Sequence, residues 1–229
     1  MDPEAAVVGR AQGSLSVGVC GLAGGGEAVY GGEGRTYATA SVVKVDILAA
    51  LLLRAQDAGR GLTGEERALA ADMIERSDND AATALWRMIG GAAGLDAANA
   101  RLGLTETAGA TAWGLTRTTV RDRLALLRAV FGERSVLDEG SRAYMGALMG
   151  RAVAGQDWGV SAAGTGWALK NGWLPRSATG LWVVNSIGRV TAADGRSYLV
   201  AVLSDGHGSM EAGVAAVEEA ARAAVGAGR

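Results

Sequence analysis

One cysteine, one histidine and two lysines are all that this chain of 229 residues has of those types. The lone Cys20 excludes an internal disulfide and any multi-cysteine metal site. The lone His207 leaves room for at most one Ser-His-Asp triad and excludes a multi-histidine metal centre. No excess of positive charge is present: 22 basic residues face 24 acidic ones, for a net charge of -2, which argues against a nucleic-acid partner. No apolar run approaches the ~20 residues of a membrane-spanning helix. Met1-Asp2-Pro3-Glu4 lacks the basic-then-apolar order of an export signal. The expected compartment is therefore the cytosol if this is the whole reading frame, and outside it if the chain was trimmed.

The basic residues are unevenly divided. Twenty are arginine, and only Lys44 and Lys170 are lysine. Arginine stays charged in proteins, whereas a desolvated lysine can lose its proton and act as a base. A coding bias explains the ratio but not the positions of the two exceptions.

Length and composition suit one domain over residues 1–229, 49% hydrophobic and able to bury a core without staples. Residues 14–20 alternate and read as a strand, with Glu27 to Tyr30 as a returning partner after Gly24-Gly25-Gly26. Ser41 to about Ala58 reads as a helix, apolar almost all round and so buried. Further helices are expected at about 64–76, 80–89, 117–131 and 138–148, with a softer signal near 93–101. Trp167 to Trp173, Leu181 to Val190 and Ser197 to Leu203 read as strands, the last two joined by a turn at Ala193-Asp194-Gly195. A helix at about 209–225 closes the chain. Strands at both ends with helices between them give an α/β (α+β) fold. It has an antiparallel sheet flanked by terminal helices, from about 1–40 and 160–229, and an inserted all-helical lobe over about 41–159.

Three short motifs fall within this frame. Ser41-Val42-Val43-Lys44 opens the buried helix, where residues three apart share a face and the Lys44 amine can reach the Ser41 hydroxyl. Burial would lower the lysine pKa and suit it to a base role; a capping serine beside a snorkelling lysine explains the same four residues. Ser77-Asp78-Asn79 lies between two helices and has the composition of a helix cap. Lys170-Asn171-Gly172 lies on a strand, where an edge lysine is ordinary and the glycine permits close backbone approach.

The order of the three resembles the penicillin-binding protein and serine β-lactamase superfamily, and its S-D-N form is most similar to class A β-lactamases and related D-Ala-D-Ala peptidases. The resemblance spans nearly the whole chain, and both lysines land on its two lysine positions. It implies Ser41 as the acylated nucleophile, Lys44 as its activator and Ser77 as the proton shuttle to the leaving amine. It further implies that Asn79 bonds the substrate amide, that Lys170 holds Ser77 and the substrate's negative charge, and that the Ser41 and Trp173 N–H groups form the oxyanion hole. Asn171 and Gly172 would complete the substrate-binding strand, and Asp78 would be a cap and loop brace.

Two departures qualify the activity. Class A enzymes carry a water-activating glutamate, followed shortly by an asparagine, on a long loop after S-D-N. Here Leu104 to Gly114 is short and has Glu106 as its one carboxylate, whose expected role is that of a solvated loop residue. Asn171 stands where the family has Thr or Ser for the substrate carboxylate; Arg176, just beyond, is a candidate to meet that carboxylate. The expectation is a serine acyl hydrolase acting on an amide, peptide or ester with poor β-lactam turnover. It would need no metal or cofactor and would act as a monomer on a small-molecule or peptide substrate. The alternatives are a biosynthetic acyltransferase or cyclising enzyme, and a penicillin sensor that acylates without turnover. His207 is expected in a loop, Cys20 in the core and Trp173 at the site, with Trp113 and Trp158 as candidates for the groove wall.

Overall fold

A computed structural model describes Val8 and residues 13–24, 26–32 and 34–228. Five strands form one antiparallel sheet in the order β2-β1-β7-β6-β5: β1 Ser14–Gly21, β2 Glu27–Gly31, β5 Thr165–Arg176, β6 Leu181–Thr191 and β7 Ser197–His207. The central strands carry apolar residues on both faces, and each face is covered. Val184, Val200 and Val202 pack with the closing helix α7 (Met210–Ala227). Ile187, Leu199 and Ala201 join the larger core of the helical lobe. A strand with two dry faces has to be sandwiched in this way. The expected mixed α and β architecture, with its antiparallel sheet and inserted helices, is the one observed.

The inserted lobe contains α1 Lys44–Asp57, α2 Gly64–Glu75, α3 Asn79–Met88, α4 Gly91–Arg101, α5 Val120–Phe131 and α6 Glu139–Met149. Their starts are written in the sequence. Thr63 and Glu66 form a reciprocal capping box on α2, Asp78 caps α3, Thr119 caps α5 and Asp138 caps α6. Helix α1 is the axis of the lobe, and from Lys44 to Leu53 every residue is buried.

Several boundaries differ from the sequence reading, among them the three that follow. The helix expected from Ser41 opens as a 3-10 turn over Ala40–Val43 and becomes α-helical at Lys44. The helix expected from 117 starts at Val120, because Arg117–Thr118 (β4) pair instead with Tyr37–Ala38 (β3) in a two-stranded ribbon. Long-range pairing there overrides local propensity. His207 is not a loop residue: it ends β7, is 1% exposed, and its Nε2 lies 2.9 Å from Ser204 Oγ. Among the described residues, no helix is long and apolar enough to cross a membrane.

Candidate active site

The 3-10 turn brings Ser41 to the junction of the lobe and the sheet. Ala40, just before it, has φ +48°, a left-handed conformation that a side-chain-bearing residue rarely adopts. The segment is held there from the sheet. Asn185, fully buried on β6, donates its amide hydrogens to the carbonyls of Ala38 (2.8 Å) and Thr39 (3.0 Å), and its Oδ1 accepts from Ser204 N (3.0 Å). In a 3-10 turn, side chains three apart eclipse one another, so Ser41 and Lys44 occupy the same side. Ser41 is half-buried, while Lys44 has no exposed surface.

The Lys44 ammonium reaches across to the start of α3 and the turn before it. Its Nζ donates to Ser77 O (2.7 Å), Ser77 Oγ (3.1 Å) and Asn79 Oδ1 (2.8 Å). Ser77 also has a left-handed backbone, φ +57°. This turn precedes the Asp78 cap, whose Oδ1 accepts from Ala81 N at 2.7 Å. The indole ring of Trp113 covers Lys44, with Nζ 4.9 Å from the ring centroid. Burial pushes the Lys44 pKa down from 10.5 to about 8, and the nearby Asp78 carboxylate opposes part of that shift.

Strand β5 forms the opposite wall. A Cβ added to Gly172 would lie 2.6 Å from Ser41 N and 2.8 Å from Val42 N, so only glycine lets the strand approach the turn this closely. Gly172→Ala is therefore expected to displace the Ser41 backbone and slow its acylation by on the order of a hundredfold, measured by mass-spectrometric labelling. Lys170 is 2% exposed, and its Nζ donates to Asn171 O at 3.1 Å. Burial, and then repulsion by Lys44, hold its pKa well below the ordinary lysine value. Two ammonium groups in mutual electrostatic range within one dry site disfavour each other's charge.

Asn171 requires a correction. Strand alternation puts it on the face of β5 opposite Lys170 and Gly172. There its fully buried amide donates to the carbonyls of Gln156 (2.9 Å) and Trp158 (2.8 Å). Both amide hydrogens are used in bracing the 156–158 loop, so the side chain does not present a donor to a substrate. The Trp173 ring lies on that same face, tilted against Trp158 with centroids 6.1 Å apart. Its backbone, next to Gly172, is what borders the Ser41 turn.

Sequence reasoning did not single out Asn185, nor the pair beneath α1. Asp46 accepts from both terminal nitrogens of Arg123 (2.6 and 2.8 Å), and both side chains are fully buried. Arg123 also donates to Thr107 Oγ1, and the Asp122 carboxylate accepts from Glu106 N and Thr107 Oγ1. This network clamps the loop that carries Trp113 to the Lys44 helix. Glu106 itself is exposed, as expected, and accepts from Thr119 Oγ1 at 2.9 Å. The one available clue was an acidic residue, Asp46, inside an apolar run. Among the described residues, no three His, Cys, Asp or Glu side chains cluster so as to hold a metal ion.

The chain that carries this arrangement of a serine at a helix start, a buried lysine against a Ser-Asp-Asn turn, and a lysine strand with a close-packed glycine has relatives. The model of the β-lactamase enzyme family matches residues 56–227, three-quarters of the chain. The chain belongs to that family, which places it among the serine hydrolases of the β-lactamase and penicillin-binding protein superfamily. Solved structures agree on the fold. The TLA-1 extended-spectrum β-lactamase is 17% identical over 93% of this chain and 92% of its own, with TM-score 0.82. PBP-A is 22% identical over 98% and 93%, with TM-score 0.81. The putative class A β-lactamase PenP from Rhodopseudomonas palustris is 22% identical over 99% and 98%, with TM-score 0.82. No curated protein sequence matches the chain.

Proposed function

We propose that this protein cleaves an amide, peptide or ester bond through an acyl-Ser41 intermediate, with Lys44 as the base. The observation that carries this reading is the enclosed Lys44, which shares a side with Ser41 and donates to Ser77 and Asn79 across the cleft. Neutral Lys44 takes the Ser41 proton as Oγ attacks the substrate carbonyl carbon. The oxyanion is met by the N–H groups of Ser41 and Trp173, the second brought near by the close approach of Gly172. Collapse breaks the bond to the leaving group, which receives a proton through Ser77. Asn79 bonds the substrate amide, and Lys170, within electrostatic range of Lys44, disfavours the charged form of that base. Asn171 serves this site as a brace of β5 rather than as a substrate contact.

Deacylation of a β-lactam adduct is slow in this reading. The short loop over Lys44 presents the Trp113 ring, whose Nε1 is tied to Thr83 Oγ1 at 3.2 Å, and its one carboxylate is engaged with Thr119. An aromatic face excludes water and offers it no base. The same observation favours a second reading, transfer of the acyl group to an amine. Incubation with a reactive β-lactam and with activated esters is expected to add the acyl mass to Ser41, to leave Ser41→Ala unmodified, and to release β-lactam product slowly after a stoichiometric burst. Competing amines in the ester reaction separate transfer from hydrolysis. A wild-type protein that no acyl donor labels would end the proposal.

A further inference from the structure

Beyond the Ser41 turn, the inward face of β5 continues from Gly172 through Leu174 to Arg176, each opposite its partner on β6: Asn185, Val183 and Leu181. A cleft of about 220 Å³ opens along this face between the β5–β6 hairpin and the β3–β4 ribbon, and its walls include Ala38, Arg117, Arg176, Thr179, Val183 and Asp205. Arg117 is held by Thr36, whose Oγ1 accepts from Nη2 (2.9 Å) and Nε (3.3 Å) and whose carbonyl also accepts from Nη2, which leaves Nη1 to donate into the cleft. Arg176 has no side-chain hydrogen bond or ion pair among the described residues. Thr179 Oγ1 accepts from Leu181 N at 3.2 Å and keeps its own hydrogen to donate. The single acid in the wall, Asp205, is already paired with Arg35 at 3.3 Å. The balance of charge is positive, and the open donors are those that suit a carboxylate.

We propose that this cleft is a subsite for a carboxylate at the far end of the acyl group, bound by Arg176 and Arg117 with Thr179. The assignment rests on the acyl-Ser41 reading. In that reading the leaving group departs toward Ser77, and the acyl chain runs the other way along β5. At about 3.3 Å per residue, Leu174 and Arg176 lie roughly 7 and 13 Å beyond Gly172. The donor class is thus an acyl group carrying an acid some 7–13 Å from the scissile carbonyl.

The test compares the mono-4-nitrophenyl ester of suberic acid with its methyl-capped counterpart, reading the rate of Ser41 adduct formation by mass spectrometry. The wild type is expected to favour the free acid on the order of tenfold, with the preference weakening in high salt. In Arg176→Gln the ratio should fall to near one, and in Arg176→Glu it should invert. An unchanged ratio in both variants, with Ser41 still labelled, overturns the subsite and leaves the acyl-enzyme reading standing. If neither ester labels Ser41, that reading fails, and NMR then decides the subsite alone. Saturable shifts of the arginine Hε signals with suberate, absent with 1,8-octanediol and lost in Arg176→Glu, support it; their absence in the wild type overturns it.

Discussion

Lys44→Met is expected to slow acylation of Ser41 by about 10²–10⁴-fold, the range over which a positioned base contributes. Lys44→Arg should be no better, because a guanidinium stays charged and cannot accept the serine proton. The wild-type rate should climb roughly tenfold per pH unit below about pH 8 and level off above it, since burial places the Lys44 pKa there. Both variants should lack that inflection, and rapid-quench labelling across pH 6–10 measures it. A wild-type profile flat through pH 8 would remove Lys44 from the base role.

The same shift has a signature in stability. The folded pKa, about 8, is below the ordinary 10.5, so between those values the unfolded chain binds more protons than the folded one. Stability of the wild type relative to Lys44→Met should therefore rise as pH increases from 8 to 10.5, by up to roughly 3 kcal/mol. Lys170 is also depressed and is relieved when Lys44 is removed, so its contribution to this difference has the same sign. Denaturant titrations of the two proteins at matched pH would read the difference.

Asp46→Leu is expected to be the most destabilising substitution near the site. It leaves the fully buried Arg123 guanidinium without its carboxylate, a situation that costs about 3–5 kcal/mol. For a chain of this size that corresponds to a fall in melting temperature of roughly 6–20 °C. Adding Arg123→Leu should recover much of the loss, because an uncompensated buried charge is worse than an apolar pair of similar volume. Calorimetry on the two variants tests this; an Asp46→Leu protein that melts with the wild type would show the pair to be dispensable. The network beneath it also holds Thr107 and Glu106, so Asp46→Leu should additionally loosen the loop bearing Trp113.

Much of the fold was legible because its signals are local. Capping residues such as Thr63, Asp78 and Asp138 mark helix starts wherever the helices later pack. Apolar strands bounded by turns, such as Leu181 to Val190, identify themselves by their own composition. The helix from 117 was misplaced for the opposite reason: Arg117–Thr118 pair with Tyr37–Ala38, about 80 residues away, and no local pattern records such a partner. His207 looked like a loop residue among glycines, yet it ends β7, the central strand of the sheet, and is buried there.

The sequence by itself determined the chemistry that is present: two lysines, each in a short motif with a serine or a glycine, in a chain with almost no histidine or cysteine to compete. That is a property of residue identity and short spacing, which survive without coordinates. Only the tertiary structure decided what those residues touch. It turned the Lys44 ammonium toward Ser77 and Asn79, roofed it with Trp113, pressed Gly172 against the Ser41 backbone, and gave both Asn171 amide hydrogens to the 156–158 loop. Each of these depends on which face of a strand or turn meets which distant segment, and that is set by packing and by the satisfaction of buried polar groups across the whole chain.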